Sequence, residues 1–172
     1  MKKMTGFLIF YFLLTWLPAQ AVSLNDLQIA VRALGFTNNP PSGNLSVGIV
    51  YVDSIPNSVN EAHELQDILG DGLQVGNLYL KPVMVPINAV ENANVGLFFM
   101  TEGMGSNGQG VLSASNQKQI LCVTTDVTQV IRGLCALGVK SQPKIEILVN
   151  RSAAANSGIT FSSAFSMMIT EY

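Results

Sequence analysis

The sequence is poor in the residues that many binding and catalytic chemistries need. Only 12% of its 172 residues are charged, and it contains one histidine, one tryptophan and two cysteines. Lysine and arginine total 9 against 11 acidic residues, so the formal charge is −2 and the basic field that drives nucleic-acid binding is missing. The single histidine, His63, rules out a metal site built from several histidines. We expect no nucleic-acid partner, no metal and no other cofactor.

Catalytic motifs are equally scarce. The Gly-x-Ser-x-Gly pattern is absent, and His63 lies on a predicted helix, where a partly exposed structural role is expected. The glycine-rich segment Gly103–Gly110 lacks the Gly-Lys-Ser/Thr of a phosphate-binding loop and matches the dinucleotide-binding pattern only in spacing. Glu102 and Asp126 both follow predicted strands, but the sequence does not set the separation that paired catalytic carboxylates require. No catalytic residue is assigned, and an enzyme is the least favoured function class.

The first residues have the features of a secretory signal peptide. Lys2 and Lys3 precede an uncharged run from Met4 to Leu17, and Ala19-Gln20-Ala21 forms a small-residue cleavage pattern. The apolar run is shorter than the roughly 20 residues that a membrane-spanning helix requires. We expect residues 1–21 to be removed and residues 22–172 to be exported to the periplasm without a transmembrane segment.

The exported part is predicted to contain an N-terminal helix with its connector, residues 22–43, followed by a single α/β domain, residues 44–172. In that domain apolar strands alternate with helices. The predicted strands are 45–52, 78–85, 95–100, 120–125, 134–139 and 144–149. Near-continuous apolar strands separated by helices are typical of a parallel sheet that is covered on both faces. We predict an α/β fold with a mainly parallel sheet, helices on both faces and an antiparallel C-terminal hairpin, similar to a Rossmann-like or solute-binding-lobe fold.

Two helices of this scheme carry specific predictions. In the first, residues 58–69, Ser58 is expected to cap the helix and Glu61 to complete a capping box, which leaves Glu61 on the polar face. The second is a closing helix over residues 161–169. Its predicted buried face consists of Phe161, Phe165, Met168 and Ile169.

Three loops that follow predicted strands are candidate ligand or partner sites. The carboxyl ends of parallel strands meet at one edge of a sheet, together with helix N-termini, and ligands bind at that edge. The polar side chains there are Ser54, Asn57 and Ser58 after the first strand, Thr101, Glu102, Ser106 and Asn107 after the third, and Thr125 and Asp126 after the fourth. Ordinary turn and cap chemistry explains these residues equally well, with Asp126 as the cap of a following turn.

Cys122 and Cys135 are the only cysteines. In an oxidising compartment two cysteines usually pair, and closing this loop would contribute roughly 3 kcal/mol through chain entropy. The alternative is two small buried apolar residues that never meet. A disulfide is expected if the strands that carry them are neighbours.

The last third of the chain contains recognisable motifs. The most specific runs from Asn150 to Ser163 and reads Asn-x-x-Ala-Ala-x-x-x-Gly-Ile-x-Phe-Ser-Ser, and it follows Gly133–Val139 and Pro143–Val149. Together with Arg32–Phe36 and Gly48–Tyr51, these residues resemble the YfiR/HmsC-like family of periplasmic regulatory proteins. The likeness covers most of the exported chain and is closest over its last third.

The resemblance implies a regulator that binds and restrains the periplasmic portion of an inner-membrane signalling protein. A diguanylate cyclase is the partner it implies, with control of cyclic-di-GMP and biofilm formation, and a sensor kinase is the other partner class. Met167, which lies off the predicted buried face, is the candidate docking residue. The family's close cysteine pair before Cys135 is missing, because Gln129 occupies that neighbourhood. The alternative function is a periplasmic small-molecule-binding module that resembles one lobe of a solute-binding protein.

Overall fold

The computed structural model describes residues 22–172, so the predicted signal peptide lies outside the described residues. The strands are β1 (Gly43–Tyr51), β2 (Leu73–Val75), β3 (Leu78–Pro86), β4 (Leu97–Met100), β5 (Cys122–Thr124), β6 (Leu137–Lys140), β7 (Glu146–Val149) and β8 (Thr170–Glu171). The helices are α1 (Leu24–Leu34), α2 (Pro56–Leu69), α3 (Gly108–Lys118), α4 (Val127–Ile131), α5 (Arg151–Asn156) and α6 (Ser163–Ser166), with 3-10 turns at Ile87–Asn92 and Gly105–Asn107. Within residues 22–172, no helix combines the length and the apolarity that crossing a membrane would demand.

The eight strands form one mixed, mostly parallel sheet in the order β2-β3-β1-β4-β5-β6-β7-β8. The strands from β3 to β6 are parallel neighbours, whereas β2 pairs antiparallel with β3 and β6 pairs antiparallel with β7. The predicted α/β class and its C-terminal hairpin are confirmed. Since β1 lies between β3 and β4, the chain leaves β1 toward one side of the sheet and later continues on the other. The boundary between β1 and β4 is therefore the topological switch point of the sheet.

The side chains of β1 divide the core into two apolar layers. Val47 and Ile49 pack in the layer covered by α1, α2, α5 and α6. Val50 packs in the opposite layer, which is covered by α3, α4 and the 3-10 turn at Ile87–Asn92. Both faces of the sheet are thus buried by helices, and successive strand positions must be apolar, which explains the near-continuous apolar runs in the sequence.

Helix α1 begins at a capping box that the sequence analysis did not identify. Ser23 Oγ accepts from the backbone N–H of Asp26 at 3.2 Å, and Asp26 Oδ2 accepts from the N–H of Ser23 at 2.8 Å. The other oxygen of Asp26 accepts from the N–H of Ser141, which follows β6, at 2.6 Å. Leu27 and Leu34 are buried in the first core layer. The helix is therefore attached to the sheet by polar and apolar contacts together.

Helix α2 does not begin at the predicted capping box. It begins at Pro56, and its N-cap residue Ile55 makes no side-chain cap. Proline is favoured in the first turn because its φ is already helical and no N–H is needed there. Ser58 and Glu61 consequently lie inside the helix and are buried on the same stripe as Leu65, so the predicted placement of Glu61 on the polar face is wrong.

The predicted closing helix over residues 161–169 is also wrong. Helix α6 is a single turn that Ser162 caps, and the chain then pairs in parallel with β7 as β8. Phe161 lies in an isolated β-bridge, and Met168 is largely exposed. Phe165 is buried as expected and stacks on Phe161 with 5.0 Å between ring centroids. Backbone pairing at the sheet edge thus replaces the apolar helical face that the periodicity predicted.

Cys122 and Cys135 form a disulfide, with their Cα atoms 5.1 Å apart. The strands β5 and β6 are parallel neighbours, with Val123 opposite Leu137, so the condition stated for pairing is met. Both cysteines are buried in the second core layer. The bridge joins the first residue of β5 to the segment just before β6, and these strands lead into the loops at residues 125–126 and 141–145.

Candidate functional site

The three loops identified from the sequence lie side by side at the carboxyl edge of the sheet. They follow β1, β4 and β5, which are adjacent parallel strands. We call the surface formed by loops 52–55, 101–107 and 125–126, with the first turn of α2, the carboxyl-edge mouth. It includes the switch point between β1 and β4, where open α/β sheets form a crevice.

Ser58 and Thr101 connect the ends of β1 and β4 beneath this mouth. Ser58 Oγ accepts from the N–H of Val52 at 2.9 Å and lies 2.6 Å from Thr101 Oγ1, which donates to the carbonyl of Val50 at 2.9 Å. Because the Thr101 proton goes to Val50, Ser58 donates to Thr101. Both side chains are fully buried, so their hydroxyls serve to hold the strand ends together.

Glu61 connects α2 to the two neighbouring loops. Its side chain is only 5% exposed. Oε2 accepts from the backbone N–H of Glu102 and Oε1 accepts from Thr125 Oγ1, both at 2.5 Å. Burial raises the pKa of Glu61 to about 7, the two donors act in the opposite direction, and the charges of Glu102 and Glu64 raise it further. The carboxyl group therefore exchanges its proton in the neutral pH range.

Gln129 and Asp126 hold the start of α4 against β4. The buried amide Nε2 of Gln129 donates to the carbonyl of Thr101 at 2.9 Å and to Asp126 Oδ2 at 3.1 Å. Asp126 caps α4 by accepting from the N–H of Thr128 at 3.1 Å, so the cap role predicted from turn chemistry is confirmed. The loops after β4 and β5 are thus joined twice, through Gln129 and through Glu61.

The charge of the mouth is negative. Burial raises the pKa of the half-buried Glu102, and the nearby charges of Asp126 and Glu64 add to the effect. Among residues 22–172 the one ion pair joins Arg151 to Glu171 at β8, so the mouth carboxyls have no cationic partner in the described chain. No cluster of three metal-ligating side chains occurs in that part of the chain either.

Hydrogen-bond donors also open onto the mouth. Helix α2 begins without a side-chain cap. Pro56 has no N–H and the N–H of Val59 donates to the carbonyl of Ile55 at 3.1 Å, so the N–H groups of Asn57 and Ser58 are those left without a capping side chain. The exposed residues Ser54, Asn57, Ser106 and Asn107 lie at the border of the mouth. Carboxylates and helix N-terminal donors therefore lie on one surface.

Two grooves lie elsewhere in the fold. One, of about 750 Å³, is lined by α1, by Pro40 and Pro41 of the connector, and by the turn between β2 and β3. The other, of about 170 Å³, lies at the amino ends of β4 and β5 and includes Gly96 and Leu121. Neither contains a residue that the sequence analysis singled out for binding.

Sequence reasoning missed Glu61 and Gln129 as parts of this site. A signal for Glu61 was present, because Ser58, Glu61 and Leu65 recur at helical spacing and share the buried stripe of α2. A polar residue on an apolar stripe indicates a buried polar contact. Nothing in the local sequence distinguishes Gln129, because its partners come from other loops.

The fold is shared with several solved structures, although no family profile and no curated protein matches the chain. A conserved domain protein from Vibrio cholerae O1 biovar El Tor is 16% identical with a TM-score of 0.58 and covers 88% of this chain. The ABC domain from Streptococcus pneumoniae in complex with L-Trp is 14% identical with a TM-score of 0.58 and covers 85%. A substrate-binding protein with adhesive properties from Clostridium difficile, in its ligand-free open form, is 12% identical with a TM-score of 0.56 and covers 88%.

The chain spans 60% of the length of each of these three proteins. At such identities the likeness concerns the fold alone. The described chain has an α/β fold that resembles one lobe of a solute-binding protein.

Proposed function

We propose that this chain is a small-molecule-binding module that holds its ligand at the carboxyl-edge mouth. The observation that carries the proposal is the junction at Glu61, which joins the loops after β4 and β5 to α2 at the switch point of a lobe-like fold. Loops gathered at a switch point are where open α/β sheets bind ligands. The likeness to substrate-binding proteins supports the same reading.

The ligand class that fits the mouth is a free α-amino acid. The carboxyls of Glu102 and Asp126 favour an ammonium group, since no cation competes for them in the described chain. The uncapped N-terminus of α2 favours a carboxylate, because its N–H groups and helix dipole both attract an anion. The pneumococcal domain of similar fold was solved with L-Trp, which is a ligand of this class.

A thermal-shift screen of residues 22–172 against the common amino acids, followed by calorimetry, tests this proposal. At least one amino acid should raise Tm, and Glu102→Gln should weaken its binding about tenfold by removing a charge-assisted contact. Glu102→Gln keeps the backbone N–H that is bonded to Glu61, and it also removes one of the charges that raise the pKa of Glu61.

Asp71→Asn is the matched control, since Asp71 is an exposed acid in the turn that follows α2, away from the mouth. Its affinity should equal that of the unmodified protein. A screen in which no amino acid changes Tm, or equal weakening by both variants, would contradict amino-acid binding at this surface.

As a second function, we propose that the chain binds and restrains the periplasmic portion of an inner-membrane signalling protein, a diguanylate cyclase or a sensor kinase. The observation that favours it is the exposure of Met167, at 84%, just before the edge strand β8. Methionine is enriched at protein interfaces. The buried disulfide supports an exported, periplasmic location, because such bridges are typical of oxidising compartments.

Affinity capture from the protein's own membranes tests this second function. The unmodified protein should recover the signalling protein, and Met167→Glu should lose it while Tm changes little. Ile131→Glu is the control, because Ile131 is an exposed apolar residue at the end of α4. Recovery of the same partner by Met167→Glu would contradict docking through this surface.

A further inference from the structure

The two hydrogen-bond partners of Glu61 differ in whether they can also accept. The backbone N–H of Glu102 is always a donor, whereas the Thr125 hydroxyl can donate or accept. An ionised carboxylate accepts from both partners at once, and both hydrogen bonds are then charge-assisted. Loss of the charge therefore affects the two loops that carry these partners.

Protonation changes what the carboxyl can do. The neutral group keeps one accepting oxygen for the Glu102 N–H, and its new O–H must donate to Thr125, whose hydroxyl has to turn and accept. Both contacts then join neutral groups, and such hydrogen bonds are roughly half as strong as charge-assisted ones. Opening of the loops would bring the ionised carboxylate into water, where its pKa is ordinary. Ionisation therefore favours opening of the two loops, even though it strengthens the individual hydrogen bonds.

Burial and nearby charges place the protonation of Glu61 in the neutral pH range. Burial is the largest influence on the carboxyl, and the charges that act on it come from Glu64 on α2 and Glu102 in the loop after β4. Asp126, in the loop after β5, acts on Glu102 in turn. All of these neighbouring charges are negative, so the elements packed around Glu61 oppose its ionisation together.

We propose that Glu61 is a positioning residue of the carboxyl-edge mouth, which holds the loops of Glu102 and Thr125 closed against α2 when protonated and lets them open more readily when ionised. The pH-dependent ligand binding that follows rests on the proposed amino-acid-binding function. The hold on the loops rests only on the contacts and the burial of Glu61. Affinity for an amino acid should accordingly fall as the pH rises through the neutral range.

Nuclear magnetic resonance of ligand-free, isotope-labelled residues 22–172 tests the inference. The amide proton of Glu102 should titrate with a midpoint near pH 7. Thr125→Val should move this midpoint upward by about one pH unit, because a donor that favours the ionised form is lost. Thr125→Ser should restore it, and Thr160→Val, which alters an exposed threonine far from the mouth, should leave it unchanged.

Glu61→Gln separates this titration from that of the Glu102 side chain. The variant should abolish the midpoint near pH 7, and its result is decisive even if Thr125→Val fails to fold. A midpoint that persists in Glu61→Gln, or an amide that does not titrate between about pH 5.5 and 8.5, would overturn the inference. A failed amino-acid screen would instead contradict the proposed function, since this measurement needs no ligand.

Discussion

Asp26 in α1 and Glu61 in α2 are two buried acids that differ in what surrounds them. Asp26 is 7% exposed and Glu61 is 5% exposed. Each accepts from the backbone N–H of a distant loop, that of Ser141 for Asp26 and that of Glu102 for Glu61. Asp26 has three donors in all, because the N–H and hydroxyl of Ser23 also reach it.

Glu61 has two donors and two acidic neighbours, Glu64 and Glu102. Burial raises its pKa to about 7, and the donors do not compensate. Similar burial thus accompanies two different surroundings. The two sites differ in the number of donors and in nearby charge, and at Glu61 the result is a carboxyl that exchanges its proton in the neutral pH range.

The largest expected effect on stability comes from removing the carboxyl group of Asp26. Asp26→Ala leaves the Ser141 N–H and the start of α1 without their acceptor, so the free energy of unfolding should fall by about 4 kcal/mol. Urea unfolding of residues 22–172 measures it, and Asp26→Asn, which keeps one accepting oxygen, should lose about half as much. A loss below about 1 kcal/mol for Asp26→Ala would remove the distinction between the two acids.

The disulfide connects the two strands that lead to the partners of these acids, because Thr125 follows β5 and Ser141 follows β6. Replacing both cysteines with alanine should lower the free energy of unfolding by about 3 kcal/mol. Hydrogen exchange should then show faster opening at the amides of Ser141 and Glu102 alike. Acceleration at one of them only would mean that the bridge supports one region and not both.

Glu61→Gln tests the role of Glu61 through the pH dependence of the free energy of unfolding. Between pH 4.5, the ordinary pKa, and about 7, folded Glu61 keeps a proton that the unfolded chain has lost. The free energy of unfolding should therefore fall as pH rises through this window and level off above it. The glutamine of the variant cannot ionise, so above pH 7 the variant avoids the cost of a buried charge. It should then be more stable than the unmodified protein by about 2 kcal/mol. Parallel stability curves for the two proteins would refute this linkage.

The smallest effect concerns the acidic neighbours. Glu64→Gln removes one negative charge near Glu61 and should lower the midpoint of the Glu102 amide titration by about 0.3 pH unit. Asp67→Asn, at an exposed position of the same helix, should leave the midpoint in place. An upward displacement in Glu64→Gln would contradict the role of neighbouring charge.

Much of the fold was predictable because its signals are local. Strands β1, β3 and β4 follow from apolar periodicity and glycine or proline boundaries, and their bounds differ little from those predicted. Helix α1 lies within the predicted N-terminal segment 22–43. The predictions were wrong where a local sequence pattern is compatible with two different structures. Ser-x-x-Glu at Ser58 fits a capping box and also a buried stripe, and Pro56 selects the second by starting the helix earlier. The apolar residues 161–169 fit a helix, but pairing with β7 makes part of them an edge strand.

The sequence by itself determined the α/β class, the three polar loops and the two cysteines available for a bridge, because these depend on residue type and on short-range spacing. Only the tertiary structure decided what the buried acids touch. Glu61 reaches residues 41 and 64 positions away, and Asp26 reaches one 115 positions away. Contacts over such separations depend on the strand order, which places β1 beside β4 and β5 beside β6. A carboxyl's burial and hydrogen bonds, and hence its affinity for a proton, therefore follow from packing between distant segments.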